Sequence, residues 1–183
     1  MSITAVVLTA GSYGRAWPDL EVVVHRSAIR DAADLQRARF DALAEVRTSR
    51  FFYLDDDDDL PADYLETLAE CVAVDAPLVY TDELIGGELR ASNEYSQAAH
   101  LKDPLFVHHL ALYDTAEARA AVTELPRGHY APEFMLAWQV AKKGAVHVPR
   151  IGYRWNKRSG GMHSWPSTCC SWSRAMIWCK GNP

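Results

Sequence analysis

The chain has 183 residues, of which 49% are apolar, and a net charge of −5. This length suits one ordinary domain with a real core, and the apolar share excludes a disordered chain. The acidic balance gives no general pull toward nucleic acid, although residues 142–158 hold Lys142, Lys143, Arg150, Arg154, Lys157 and Arg158. The N-terminus, MSITAVVLTAGS, lacks the charged start and long apolar run of a secretory signal. No run approaches the roughly 20 apolar residues that span a bilayer. Cys71, Cys169, Cys170 and Cys179 show neither zinc spacing nor a disulfide framework, so a cytoplasmic setting with reduced thiols is expected.

Residues 3–9, ITAVVLT, read as a buried strand, followed by a glycine-containing loop at 10–14. Residues 20–24, LEVVV, form a second strand. The connection is too short for a normal crossover helix, which predicts a reduced first crossover. Leu35, Ala38, Ala42, Leu43 and Val46 mark one apolar face of a helix over 32–46, with Asp31 or Asp34 at its N-terminus. A short strand follows at 51–54.

Residues 55–59 are all aspartate, and Leu60-Pro61 then stops the strand and opens the next helix, at 62–74. Like charges at about 4 Å repel by roughly 1 kcal/mol even in water, a cost that a bound cation offsets. The alternative is a solvated acidic turn. Its place at the carboxyl end of a buried strand favours a ligand site, because open α/β sheets bind ligands there.

A strand at 77–80 ends in Thr81-Asp82-Glu83, and Gly86-Gly87 reads as a hairpin turn. Residues 104–113 read as a strand running into a short helix, with one of His108 and His109 buried and a direct active-site role for the pair as the lesser reading; 117–122 are helical. Pro132 opens a helix whose inner face is Phe134, Met135, Trp138 and Ala141, and Gly144 closes it. Residues 145–149 form a strand. A flexible loop, Arg158-Ser159-Gly160-Gly161, precedes Met162-His163. Residues 165–183 are rich in Trp and Cys and show no clear periodicity; a tail packed on the core, a lid, an acceptor platform and a membrane-surface contact all remain open. The order of elements predicts an α/β domain over 1–164, a mostly parallel central sheet flanked by helices, followed by the 165–183 tail.

Residues 38–68, ARFDALAEVRTSRFFYLDDDDDLPADYLETL, resemble the centre of family 2 glycosyltransferases with the GT-A (Rossmann-like) fold. Ala38-Arg39 and Leu54-Asp55-Asp56-Asp57-Asp58 stand in the family's register. Gly128-His129-Tyr130-Ala131-Pro132-Glu133-Phe134 is similar to the segment that supplies the catalytic base. Tyr153-Arg154-Trp155 through His163 is similar to the stretch that meets the diphosphate and completes the metal site. The chain departs from the family at His25-Arg26-Ser27, where an acidic turn is common, and at Phe134, where an Asp usually follows the Glu.

The resemblance implies a metal-dependent, inverting transfer of a sugar from a nucleotide-diphosphate sugar, UDP-linked by expectation, to an acceptor hydroxyl. Glu133 would be the general base, with Asp82 the runner-up. Thr9, Ala10, Gly11, Arg39, Asp55, Asp56 and Arg154 would hold the donor. Asp55, Asp57 and His163 would ligate Mn²⁺ or Mg²⁺, the imidazole favouring Mn²⁺. Other readings weigh against these roles: a helix-start acid for Glu133 and a surface histidine for His163. Tyr153 and Trp155 could stack on a sugar or base, with core packing the favoured reading. The acceptor is open between a glycan, a protein and a modified nucleobase in DNA; a DNA acceptor would bind the 142–158 stretch with steep salt dependence. A non-catalytic metal- or sugar-binding module and, more distantly, a nucleotidyltransferase are the competing readings.

Overall fold

The computed structural model describes residues 2–103, 105–128, 130–156 and 166–182, with 166–172 as backbone alone. Seven strands among these residues form one mixed sheet of order β2-β1-β3-β6-β4-β5, with β7 alongside β4. β1 (Ile3–Thr9) pairs in parallel with β2 (Glu21–Arg26) and β3 (Arg50–Asp55). β4 (Leu78–Ile85) and β7 (Ala145–Trp155) run parallel to each other, whereas β6 (Ala111–Asp114) is antiparallel to β3 and β4, and β5 (Glu88–Arg90) to β4. No helix separates β1 from β2, as the short connection requires.

Strand alternation divides the core between the two sheet faces. Val6, Leu8, Phe51, Tyr53, Tyr80 and Tyr113 face one side; Ala5, Val7, Phe52, Leu54, Val79 and Tyr153 face the other. The first face is covered by α1 (Ala32–Ala42), α4 (Thr115–Glu124), α5 (Pro132–Ala141) and α6 (Pro166–Gly181). α2 (Tyr64–Ala73) covers the second through Tyr64, Leu68 and Cys71. A four-residue helix, α3 (Gln97–His100), lies between β5 and β6. Asp31 caps α1, its carboxylate accepting from the Ala33 and Asp34 amides at 2.9 Å each. Gly144, at φ 135°, ends the turn after α5 in a conformation that a side chain resists.

Several expected segments differ. The strand expected to open at 104 is confined to Ala111–Asp114, because 105–110 turn before it. The strand read as 145–149 continues to Trp155, because the pairing steps from Thr81↔Val148 to Asp82↔Ile151 and leaves Pro149 and Arg150 outside the ladder. A proline that ends a regular strand is tolerated inside such a bulge. Gly152 sits in the same irregularity, where an added Cβ would lie 2.3 Å from Thr81 Oγ1. The C-terminal segment is helical and contributes buried Ala175 and Cys179, four residues apart, to the first core.

Candidate active site

The first carboxylate of the aspartate run ends β3 and sits in an ion-paired centre. Odd positions of β3 face the α1/α5 side, and Asp55 follows Phe51 and Tyr53 in that register. There Arg39 of α1, only 3% exposed, donates from Nη2 to Asp55 Oδ1 at 2.5 Å and pairs through Nε with Glu133 Oε1 at 2.5 Å. Its guanidinium also lies over the Tyr53 ring, 4.6 Å from the centroid. Burial works against this charge, but Glu133 and Asp55 more than offset it and hold the Arg39 pKa above its ordinary value. Arg39 Nη1 is buried without a hydrogen-bond partner. Arg39, Glu133, Tyr53, Tyr113, Ala111, His108 and His109 line a small pocket. A buried donor left unsatisfied is costly, so a ligand oxygen in that pocket would find a partner waiting.

The segment that delivers Glu133 is positioned from α1 as well. Gln36, one turn before Arg39, donates to Pro126 O at 3.1 Å and accepts from the Gly128 amide at 2.8 Å. Pro132 then starts α5, which places Glu133 in its first turn, where the helix dipole favours a carboxylate. Phe134, Met135, Trp138 and Ala141 are buried beneath it, as the helical spacing requires.

The rest of the aspartate run is fastened to the end of β7. Asp59 and Arg154 exchange backbone hydrogen bonds of 3.1 and 2.9 Å. Asn156 Nδ2 donates to Asp57 O at 3.0 Å and to Asp59 Oδ2 at 2.9 Å. Arg15 pairs with Asp59 and donates to Asp58 O at 2.5 Å. Asp58 turns inward and is 1% exposed; it accepts from the Tyr153 hydroxyl at 3.0 Å and the Asn156 amide at 2.7 Å. The same Tyr153 oxygen accepts from the Asp55 amide at 3.0 Å. Tyr153 stacks on His109 with centroids 4.2 Å apart.

Burial pushes the Asp58 carboxyl up to about 7. The Asn156 and Tyr153 hydrogen bonds oppose the shift, and the Asp55 and Asp57 charges add to it. An unfolded aspartyl group titrates near 3.9. Between about pH 4 and pH 7 the folded protein therefore keeps a proton that the unfolded chain has lost, and stability falls as pH rises through that window. In metal-free protein, urea unfolding is expected to show wild type losing stability relative to Asp58→Asn from pH 4.5 to pH 7.5. Parallel curves would show Asp58 ionised throughout.

Asp55, Asp58 and His109 each offer a ligand atom within 4.8 Å of the others. Burial, then His108, Arg39 and Arg90, hold the His109 pKa well below its ordinary value, so its imidazole is neutral and able to ligate. Two carboxylates and one imidazole fit Mn²⁺ or Mg²⁺ in chemical type. Asp56 is exposed, and Asp57 joins neither this group nor the other one found among the described residues. His163 lies outside the described residues.

The other expected residues are distributed as follows. Thr9, Ala10 and Gly11 stand at the end of β1, beside Asp55 through the Leu8↔Asp55 register. Thr9 Oγ1 accepts from the Gly11 amide at 3.2 Å. The Arg154 side chain is exposed on β7. Asp82 is engaged elsewhere: its Oδ1 accepts from the Ser92 amide at 2.7 Å and contacts His147 Nε2 at 2.8 Å. Its neighbour Glu83, 1% exposed, instead meets His108 and Arg90. Sequence reasoning missed Gln36, Asp58 and Glu83 as site residues and held an active-site role for His109 only as the lesser reading. The one signal present was the apolar setting of His108-His109.

The mixed sheet, the carboxylates at the end of its third strand and the helix-borne glutamate facing them define a GT-A-like domain. Among solved structures, the chain is similar to residues 1–349 of Staphylococcus aureus TarS in complex with UDP-GlcNAc, with a TM-score of 0.65 and 15% identity over 90% of this chain. It is also similar to the same TarS fragment in complex with UDP, at TM-score 0.59 and 10% identity over 84% of this chain, which covers 60% of the fragment. The chain spans about 61% of the length of the UDP-GlcNAc-bound fragment. No protein-family model and no curated protein matches the sequence.

Proposed function

We propose that this chain is a glycosyltransferase that takes a sugar from a nucleotide-diphosphate donor, UDP-linked, and passes it to an acceptor hydroxyl with inversion. The observation that carries the reading is the buried Arg39 held between Asp55 and Glu133, on a fold shared with a protein that binds UDP-GlcNAc. Glu133 is the base: its carboxylate takes the acceptor O–H proton as that oxygen bonds to the anomeric carbon. The bond from that carbon to the diphosphate oxygen breaks, and the nucleoside diphosphate leaves with the electron pair. Arg39 orients Glu133, and its unpartnered Nη1 donates to a donor oxygen in the pocket. Thr9, Ala10 and Gly11 line the nucleotide side, with Asp56 and Arg154 at the exposed rim.

Asp55, Asp58 and His109 would hold the divalent cation, with Asp57 and His163 as further ligands that the family resemblance implies. When bound, that cation neutralises the diphosphate leaving group.

Among acceptors, nucleic acid is the least favoured. Lys143 pairs with Glu117, Arg150 with Glu66 and Glu70, and Lys142 donates to Asn182 O, so much of the basic stretch is engaged within the chain. No helix among the described residues is long and apolar enough to cross a membrane. The free, buried thiols of Cys71 and Cys179 accord with a cytoplasmic setting.

Titration calorimetry with UDP, with and without Mn²⁺, tests the donor site. Mn²⁺-dependent binding is expected in wild type, weakened at least about tenfold in Asp55→Asn, since even the loss of an outer-shell partner costs that much. Asp57→Ala measures whether that carboxylate also contributes. If no nucleotide binds under any metal condition, the donor assignment fails and a structural cation site takes its place.

A further inference from the structure

A second group of metal-binding atoms lies beside the first and shares His109 with it. Glu83, His108 and His109 bring one carboxylate oxygen and two imidazole nitrogens within 4.8 Å of one another. Glu83 comes from β4 and the histidines from the segment just before β6, so the sheet itself brings them together. Glu83 Oε2 and His108 Nδ1 are 3.2 Å apart. An ion about 2.0–2.2 Å from each ligand keeps such atoms about 3–3.5 Å apart, which is the spacing of the Glu83–His108 pair.

The group also has a supporting shell. Arg90 Nη1 holds the other Glu83 oxygen at 3.0 Å, and its Nη2 is held by Asp103 at 2.8 Å. His108 packs edge-on to Trp155, centroids 5.2 Å apart, and His109 is stacked on Tyr153. Partners of this kind fix ligand orientation. Arg90 opposes a cation here, but it is itself neutralised by Asp103, and the two imidazoles add ligands without adding charge.

We infer that Glu83, His108 and His109 form a second, softer metal site, for Zn²⁺ or another late first-row divalent ion, which competes for His109 with the harder ion of the Asp55–Asp58 group. Two imidazoles and one carboxylate suit Zn²⁺, whereas a carboxylate-rich set suits Mn²⁺ or Mg²⁺. His109 belongs to both groups. Zinc at the second site therefore removes a ligand from the first, and this chain is expected to be zinc-inhibited. The zinc site stands on its own geometry; the competition rests on the proposed metal role of Asp55 and Asp58.

The test uses the metals alone, without donor sugar. Equilibrium dialysis of reduced, metal-free full chain should give one equivalent of Zn²⁺. His108→Asn should weaken it about 100-fold, since even outer-shell losses cost about 10–100-fold. X-ray absorption of zinc-loaded wild type should show nitrogen and oxygen neighbours, a readout that needs no variant to fold. Zn²⁺ added to Mn²⁺-loaded wild type should release aqueous Mn²⁺, seen by electron paramagnetic resonance, whereas His108→Asn should retain its Mn²⁺. Unchanged zinc affinity in His108→Asn, or sulfur neighbours from cysteine, would overturn the site. Zinc binding without Mn²⁺ release would overturn the competition. Zinc bound by nitrogen and oxygen in a chain that never binds Mn²⁺ would support the second site while removing the metal role proposed for Asp55.

Discussion

Glu133→Gln is expected to lower sugar transfer by about 10²–10⁴-fold, the usual contribution of a general base, while nucleotide binding persists. Glutamine keeps the shape of the first turn of α5 and can still accept from Arg39, so the helix start and its buried face should survive. What it cannot do is take the acceptor proton. Turnover with the donor in excess, set beside calorimetric UDP affinity, separates chemistry from binding. Full turnover in this variant would move the base to another group. Asp82, held by His147 and Ser92, would need those contacts broken first.

Arg39→Met should fail on two readouts at once. The methionine fills part of the volume but leaves Asp55 and Glu133 without their shared cation. Breaking a fully buried pair costs about 3–5 kcal/mol. Here the partner side chains are 37% and 22% exposed, so solvent screening reduces the expected loss to about 2–3 kcal/mol. Urea unfolding measures this, and Mn²⁺ should restore part of it by replacing positive charge at Asp55. Transfer should fall as well, because Glu133 loses its orientation and the pocket loses its Nη1 donor. A variant with an unchanged urea midpoint and unchanged turnover would remove Arg39 from the proposed machinery.

How much of this was legible depends on how local the causes are. β1 begins and ends where the apolar run does, because a buried parallel strand is written as continuous Ile, Val and Leu. α1 and α5 follow their apolar spacing, and Asp31, Pro132 and Gly144 mark ends that lie within a few residues of their causes. The far part of β7 was hidden because Pro149 reads as a stop, while the bulge that accommodates it belongs to the pairing with β4. α6 was hidden because its inward pair, Ala175 and Cys179, is interrupted by Ile177, which is 70% exposed. In the site, Arg39, Asp55 and Glu133 were reached through family resemblance, and the fold brings the three together. Which further aspartate turns inward was not legible. Asp58 is chosen by Tyr153 and Asn156, 95 and 98 residues away, and nothing within the run distinguishes one carboxylate from the next.

The fastening of residues 57–59 to the end of β7 bears on the thermodynamics of recognition. Five adjacent acids in a free loop would be ordered by their cation, and the ordering entropy would be subtracted from its affinity. Here the Asp59–Arg154 backbone pair and the Asn156 amide group have already met that cost during folding. An arriving ion then spends its binding energy on charge neutralisation rather than on loop closure, which is the advantage of preorganisation. The repulsion within the run is held in readiness by the β-sheet, and folding stability and ion affinity draw on the same contacts.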